Sequence, residues 1–145
     1  MQIEKATEAH VGDVAELAFL LWPDSEKEEL RTEFAAMLHS DNNQVLVAVA
    51  GEARIGFIHL SLRKDYVEGA VSSPVGFVEG IYVAEGHRGQ GVSRALVKAG
   101  SEWARAAGCR ELASDTELHN TGSQAFHERV GFREAGRIVA YIKDL

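Results

Sequence analysis

The stretch from residue 77 to residue 107 constrains the fold most, because a strand, a glycine-rich turn and a long helix follow one another there. The strand is a short apolar, β-branched and aromatic run, which is typical of a strand covered on both faces. It comprises Phe77, Val78, Ile81, Tyr82 and Val83, and a single carboxylate, Glu79, interrupts it. Small or apolar residues then recur at helical spacing over about four turns, ending at Gly108. The stretch predicts a strand–turn–helix unit at the centre of an α/β fold.

The turn between this strand and this helix predicts an anion site. Its sequence is Arg88, Gly89, Gln90, Gly91, Val92 and Ser93. Backbone N–H groups at a helix N-terminus attract anions, and glycine lets a phosphate approach the main chain. We therefore expect these residues to form a phosphate cradle.

Two common phosphate-binding loops fit this turn poorly. A Walker loop requires Lys and then Ser or Thr after its last glycine, where this chain has Val92, Ser93 and Arg94. A dinucleotide fingerprint requires three spaced glycines, and only Gly89 and Gly91 are available.

Composition narrows the class of protein. With 145 residues, 46% of them hydrophobic, the chain is expected to form a single domain over residues 1–145. The net charge of −7 argues against nucleic acid and favours a cationic ligand. No apolar run approaches the ~18 residues of a membrane span, and the N-terminus lacks a signal-peptide pattern, so we expect no membrane partner and a cytoplasmic location. Cys109 is the only cysteine, which excludes an internal disulfide.

The remaining chain predicts further strands and helices around the central unit. We expect strands over 2–6, 44–50, 53–63 and 111–114, one or two final strands over 132–143, and helices over 11–21, 26–38 and 121–130. Residues 44–63 should form an antiparallel hairpin. The polar segment 63–74 is either a binding loop or a solvated connection. The predicted order is β-α-α-β-β-β-α-β-α-β-β, a mixed central sheet flanked by helices.

The turn and a later segment resemble the GNAT N-acetyltransferases. Residues 88–93 resemble the acetyl-CoA pyrophosphate loop of that family, usually Arg/Gln-x-x-Gly-x-Gly/Ala, with Ser93 at the last small position. Residues 120–132 (NTGSQAFHERVGF) resemble its Asn-x-x-Ala-x-x-x-Tyr-x-x-x-Gly-Phe region, with His127 at the tyrosine position. The resemblance implies a GNAT fold and acetyl-CoA as cosubstrate. The residues it implies for acetyl-CoA binding are Ile81, Tyr82, Val83, Arg88, Gly89, Gln90, Gly91, Val92, Ser93 and Asn120.

Four further blocks look like the bacterial aminoglycoside 6′-N-acetyltransferases. They are Leu21-Trp22-Pro23, residues 65–75 (DYVEGAVSSPV), residues 77–81 (FVEGI) and Ala113-Ser114-Asp115-Thr116. The resemblance implies acetylation of the 6′-amino group of aminoglycosides, which confers resistance, and a homodimer. It also implies that Trp22, Tyr66, Glu79 and Asp115 line the aminoglycoside pocket. For Trp22, a place in the hydrophobic core is the competing interpretation.

The implied chemistry is attack of a neutral primary amine on a thioester. Glu79 lies between apolar neighbours, where desolvation would raise its affinity for a proton, so it could act as a base directly or through water. It could equally be a charge anchor that binds the substrate ammonium. In this superfamily a backbone N–H of the central strand, here near Ile81 to Val83, stabilises the oxyanion. His127 is our candidate for protonating the departing thiolate, although it could also be a histidine with no chemical role.

Two other functions remain open on the sequence. The chain could acetylate another small amine or a protein N-terminus, or it could bind CoA or an aminoglycoside without catalysis. No metal site is predicted, because the HExxH pattern is absent and His119 and His127 are too far apart for adjacent turns of one helix.

Overall fold

The computed structural model describes all 145 residues and contains a five-stranded mixed sheet. Its elements are β1 (Gln2–Lys5), a 3-10 turn (Glu8–His10), α1 (Val11–Leu21), α2 (Lys27–Met37), β2 (Asn43–Ala50), β3 (Ala53–Arg63), β4 (Val75–Val83), a 3-10 turn (Glu85–His87), α3 (Val92–Ala106), β5 (Leu112–Ala113) and α4 (Thr121–Arg129). The strands follow their sequence order across the sheet. Only the pair β4–β5 is parallel. The predicted α/β class, the hairpin and the central strand–turn–helix unit are confirmed.

The sheet buries both of its faces under helices. Successive residues of a strand point to opposite faces, and Phe57 and Ile58, both fully buried, show this directly. Phe57 packs in the cluster that contains α1 and α2, whereas Ile58 packs in the cluster that contains α3. Phe126 of α4 lies at the edge of the second cluster. None of the helices combines the length and the hydrophobicity needed to cross a membrane.

Strand β4 contains a β-bulge at Glu79. His59 of β3 pairs with Gly80, and the next residue, Leu60, pairs with Val78. Glu79 is therefore an extra residue with no partner in the register. A bulge interrupts the regular alternation of side chains along a strand. The direction of the Glu79 side chain therefore does not follow from simple alternation along β4.

Strands β4 and β5 separate soon after they meet. Their pairing is limited to Gly76 with Leu112 and Phe77 with Ala113. Beyond these pairs, residues 78–83 of β4 have β3 as their one neighbouring strand. Alternate N–H and C=O groups of a strand point to each side, so this stretch of β4 has an open edge in the interior of the fold.

The final strands predicted over 132–143 are not formed. No strand follows α4, and Ile138, Val139, Tyr141 and Ile142 are between 74% and 95% exposed. A strand is stable only when a neighbouring strand satisfies its backbone hydrogen bonds. The strand-forming residues of this segment find no such neighbour within the single chain, because β5 is only two residues long.

Candidate active site

The Glu79 carboxylate is held by two side chains of the neighbouring strand. Its Oε1 atom accepts hydrogen bonds from Ser61 Oγ at 2.6 Å, from Arg63 Nε at 3.0 Å and from Arg63 Nη2 at 2.8 Å. Its Oε2 atom accepts one, from Arg63 Nη2 at 2.9 Å. The Arg63 guanidinium also stacks on Phe77, with Cζ 3.5 Å from the ring centroid.

Sequence reasoning missed Ser61 and Arg63. The available signal was weak: two polar residues at alternate positions, and so on one face, near the end of an apolar strand. The bulge at Glu79 shifts the register by one residue, so simple alternation along β4 does not predict which side chains of β3 meet the carboxylate.

Trp22 packs against Gly80, the residue that follows Glu79. It follows the last residue of α1, and its indole covers Gly80 so closely that a Cβ atom there would be 2.5 Å from Trp22 Cη2. The indole also meets Phe57 edge-on, with ring centroids 6.5 Å apart. Trp22 is half-buried, so it belongs partly to the core and partly to the surface around Glu79.

The structure places Tyr66 on the outside of the segment between β3 and β4. Its ring is 82% exposed, and its hydroxyl donates a hydrogen bond to Glu68 Oε2 at 2.6 Å. This bond and the charge of Glu68 raise the pKa of Tyr66. A cavity of about 440 Å³ at the end of β3 is lined by Asn42, Leu62, Arg63, Lys64, Asp65 and Tyr66. Tyr66 thus shares this cavity with Arg63, and Arg63 in turn binds Glu79.

The segment that carries Tyr66 is anchored to the strand β5 region by Glu111. The Val71 N–H donates to Glu111 Oε1 at 2.9 Å, and the Ser72 hydroxyl donates to the same atom. The hydroxyl bond, and next the backbone bond, lower the pKa of Glu111. Asp115 lies just after β5 on an exposed stretch, and no hydrogen bond or ion pair joins it to Glu79.

The glycine-rich turn has the conformation that an anion cradle requires. Gly89 and Gly91 have φ angles of 75° and 81°, in the left-handed region that favours glycine. Gly91 is the N-cap of α3 and provides no side chain to cap it. The first N–H groups of any helix have no intrahelical acceptor. In α3 these groups begin at Val92, and no side chain caps them. The space around both glycines is open, so the turn can admit a ligand.

Arg88 points back to β4 instead of outward. Its Nε donates to the Val83 carbonyl at 2.9 Å, and its guanidinium lies over the Tyr82 ring, 5.1 Å from the centroid. The side chain thus attaches the cradle to the end of the open edge of β4.

His127 is firmly oriented on α4. Its Nδ1 is 2.7 Å from the Ser123 carbonyl, which can only accept, so Nδ1 carries a proton. Its Nε2 is 2.8 Å from the Ser114 hydroxyl, which immediately follows β5. The ring meets Phe126 and Phe132 edge-on. His127 therefore lies at the β5 side of the opening, with Nε2 available to exchange a proton with Ser114.

Asn120 acts as the N-cap of α4, directly before the first residue of the helix predicted over 121–130. Its Oδ1 accepts a hydrogen bond from the Ser123 N–H at 3.0 Å. This cap fixes the start of the helix that carries His127.

Comparison with known proteins agrees with this geometry. A family profile described as Acetyltransferase (GNAT) family matches residues 12–132. The aminoglycoside N(6′)-acetyltransferase type 1 of Serratia marcescens is 44% identical over 126 residues, 86% of each chain. That of Acinetobacter haemolyticus is 39% identical over 145 residues, which is 100% of this chain and 99% of the relative.

Solved structures of aminoglycoside 6′-N-acetyltransferases are also similar to this chain. The structure of AAC(6′)-Iy in complex with the bisubstrate analogue CoA-S-monomethyl-acetylneamine has a TM-score of 0.95 and 37% identity, covering 99% of this chain and 98% of that one. The apo structure of AAC(6′)-IG from Acinetobacter haemolyticus has a TM-score of 0.95 and 36% identity, covering 100% and 99%. The chain is an acyltransferase that belongs to the GNAT family and, within it, to the aminoglycoside N(6′)-acetyltransferases.

Proposed function

We propose that this chain transfers the acetyl group of acetyl-CoA to the 6′-amino group of aminoglycosides and thereby confers resistance to them. One observation carries the proposal: a single strand, β4, bears a carboxylate at its bulge, an open edge beside it and a phosphate cradle after its end. An acetyl donor with a phosphate group and an amine acceptor can therefore meet at one strand. The complexes of AAC(6′)-Iy with CoA and with a CoA–neamine bisubstrate analogue support the pairing of these two ligands.

Acetyl-CoA fits the cradle and the open edge. Residues 88–93 present backbone N–H groups and positive-φ glycines to a pyrophosphate. Over Ile81, Tyr82 and Val83, alternate backbone groups face the open edge that β5 leaves unpaired, and the Val83 carbonyl there already accepts a hydrogen bond from Arg88. We assign these residues and Asn120 to acetyl-CoA binding, with Asn120 acting through the position of α4.

The acceptor amine fits near Glu79. A polycationic substrate is favoured by the net charge of −7, and the Glu79 carboxylate gives its reacting ammonium a defined place. Trp22 covers the adjacent Gly80 and can stack against a sugar ring. Tyr66 and Asp115 are assigned to the outer part of the pocket, where both are exposed.

The reaction releases one proton overall. The substrate ammonium loses a proton to Glu79 or, through it, to water; the neutral nitrogen then forms a bond to the acetyl carbon, and the C–S bond breaks. A backbone N–H near Ile81 to Val83 stabilises the oxyanion. As the C–S bond breaks, the nitrogen gives up its second proton. CoA thiolate takes one proton, either from water or from His127, whose Nε2 must first receive a proton because the Nδ1 proton is bound to the Ser123 carbonyl. The products are an amide and CoA thiol, with one proton released.

We also propose that the enzyme is a homodimer and acts in the cytoplasm, where acetyl-CoA is available. The exposed apolar residues of the C-terminal segment support the first point. They are Ile138, Val139, Tyr141 and Ile142, and a second copy could supply the neighbour that a strand here needs.

Thiol release from acetyl-CoA by the purified protein tests the proposal. Tobramycin or kanamycin should support release, and an analogue with a hydroxyl in place of the 6′-amine should not. Release with both compounds would contradict the regiochemistry. Binding of acetyl-CoA without release by either compound would favour another acceptor or a non-catalytic role.

A further inference from the structure

Arg63 makes unequal contacts with the two oxygens of Glu79. A carboxylate oxygen has about two lone pairs, and Oε1 already receives three donors from Ser61 and Arg63. Oε2 receives only one. A further donor can therefore be accommodated at Oε2 and not at Oε1.

Arg63 is itself fixed against Glu79. Its guanidinium donates to the carboxylate through two nitrogens, and stacking on Phe77 holds the guanidinium in place. The other titratable group close to Glu79 is His59 of β3, and burial lowers its pKa, so it is neutral at neutral pH. From the end of α1, Trp22 covers the neighbouring Gly80 and carries no charge.

Both partners remain accessible from outside. The Arg63 side chain is 41% exposed and the Glu79 side chain 27% exposed. Arg63 also lines the cavity at the end of β3. A ligand can thus reach the open side of Glu79 without first breaking the ion pair.

Building on the proposed function, we propose that Arg63 is a positioning residue for acetyl transfer. Together with Ser61 it occupies Oε1 of Glu79 and leaves Oε2 as the atom that receives the substrate ammonium. Glu79 then acts as an ionic anchor that holds the reacting amine in one direction.

Carboxyl NMR tests the contact with Glu79 without any substrate. The protein is labelled with ¹³C at glutamate carboxyl carbons, and the Glu79 signal is assigned with Glu79→Gln. At a fixed neutral pH the ¹³C chemical shift of this carboxyl should change in Arg63→Ala, because the variant removes three of the four hydrogen bonds that the carboxylate accepts. Arg105→Ala, which removes an exposed charge on α3, should leave the signal unchanged.

Two conservative variants separate charge from geometry. Arg63→Lys keeps the positive charge and loses the paired N–H donors of the guanidinium, so kcat/KM should fall by about tenfold, the equivalent of one hydrogen bond. Ser61→Ala removes a neutral donor and should produce a smaller shift than Arg63→Ala. These two variants decide the matter if Arg63→Ala does not fold.

Kinetics give the second measurement. The KM for tobramycin should rise by about tenfold in Arg63→Ala, the equivalent of one hydrogen bond, whereas the KM for acetyl-CoA should stay unchanged. An unchanged Glu79 carboxyl signal together with an unchanged KM for tobramycin would overturn the proposed role of Arg63. If wild-type protein releases no thiol with tobramycin, the proposed function fails, but the NMR comparison still decides whether Arg63 holds Glu79.

Discussion

The indole of Trp22 fills the space in which position 80 would carry a side chain: a Cβ atom on Gly80 would lie 2.5 Å from Cη2 and 2.7 Å from Cζ2. Gly80→Ala must therefore displace Trp22. We expect the free energy of unfolding to fall by about 1–3 kcal/mol, as in other overpacked sites, and thiol release to decrease. Urea denaturation and the thiol assay measure the two effects.

Trp22→Phe provides the matched test of this contact. The smaller ring should recover part of the stability lost in Gly80→Ala when the two changes are combined, because the added methyl then has room. Equal stability of Gly80→Ala and the wild type would show that the indole is not constrained by position 80.

The N-cap of α3 should not tolerate a side chain. Gly91 has a φ of 81°, where an L-residue costs about 1–2 kcal/mol, so an alanine here would strain the turn that is proposed to bind the phosphates. We expect Gly91→Ala to lower stability and to raise the KM for acetyl-CoA by about 10- to 100-fold, because charged hydrogen bonds are worth about 1.5–3 kcal/mol.

Gly86→Ala is the control for the cradle. Gly86 also lies in open space, and its φ is not positive. Stability and the KM for acetyl-CoA should therefore both stay at wild-type values in Gly86→Ala. If Gly91→Ala and Gly86→Ala have the same KM for acetyl-CoA, the phosphates bind elsewhere.

His127 should affect kcat more than KM. If it protonates the thiolate, His127→Ala lowers kcat by about 10²-fold, near the lower end of the range for a general acid. Ser114→Ala should have a smaller effect, because the Ser123 carbonyl still orients the ring. Steady-state kinetics at saturating acetyl-CoA measure both, and unchanged turnover in His127→Ala would remove this residue from the mechanism.

Stability should fall in acid because of His59. Burial lowers the pKa of this histidine below its ordinary 6.5, and the charge of Glu79 opposes the shift only in part. At a pH between the pKa of His59 in the folded protein and its pKa of 6.5 in the unfolded chain, the unfolded chain binds more protons. The stability that neutral His59 contributes is therefore fully present above pH 6.5, and it is lost as the pH falls towards and through the pKa of the folded protein. His59→Gln should therefore reduce the decrease in the free energy of unfolding as the pH is lowered from 7.5 to acidic values.

Urea unfolding at several pH values measures this difference. His119→Gln, on an exposed side chain, should retain the wild-type slope. A His59→Gln protein with an unaltered slope would mean that other groups cause the acid sensitivity.

The C-terminal segment should be required for dimerisation. Val139 and Ile142 are 74% and 95% exposed, so Val139→Asp and Ile142→Asp should convert the protein to a monomer without unfolding it. Sedimentation measures the mass, and Leu118→Asp, also at an exposed site, should leave the dimer intact. A monomeric wild type would contradict the homodimer.

The elements that the sequence predicts well are those with a strong local pattern. The apolar run of β4, the helical spacing of α3 and Pro23 after α1 each depend on neighbouring residues alone. The positive φ angles of Gly89 and Gly91 were likewise predictable, because glycine at a strand-to-helix turn has a local cause.

The features that escaped prediction depend on pairing between distant parts of the chain. The bulge at Glu79 exists only relative to the register of β3, and the contact of Arg63 with Glu79 joins residues 16 positions apart. The segment 132–143 has the composition of a strand, but a strand also needs a neighbour, and one chain does not provide it. The sequence therefore drew attention to Glu79 but not to Arg63, which binds its carboxylate.

The early separation of β4 and β5 leaves backbone hydrogen-bonding groups of β4 without a strand partner at the centre of this protein. Unpaired N–H and C=O groups on a strand edge form hydrogen bonds with any strand that reaches them. Here these groups lie in the gap between β4 and β5. A slender ligand with amide groups could satisfy them and behave, while bound, as a piece of sheet. Amide hydrogens of residues 78–83 that face this side should then exchange quickly in the free enzyme and slowly in the complex, so the ligand completes the secondary structure that the chain leaves unfinished.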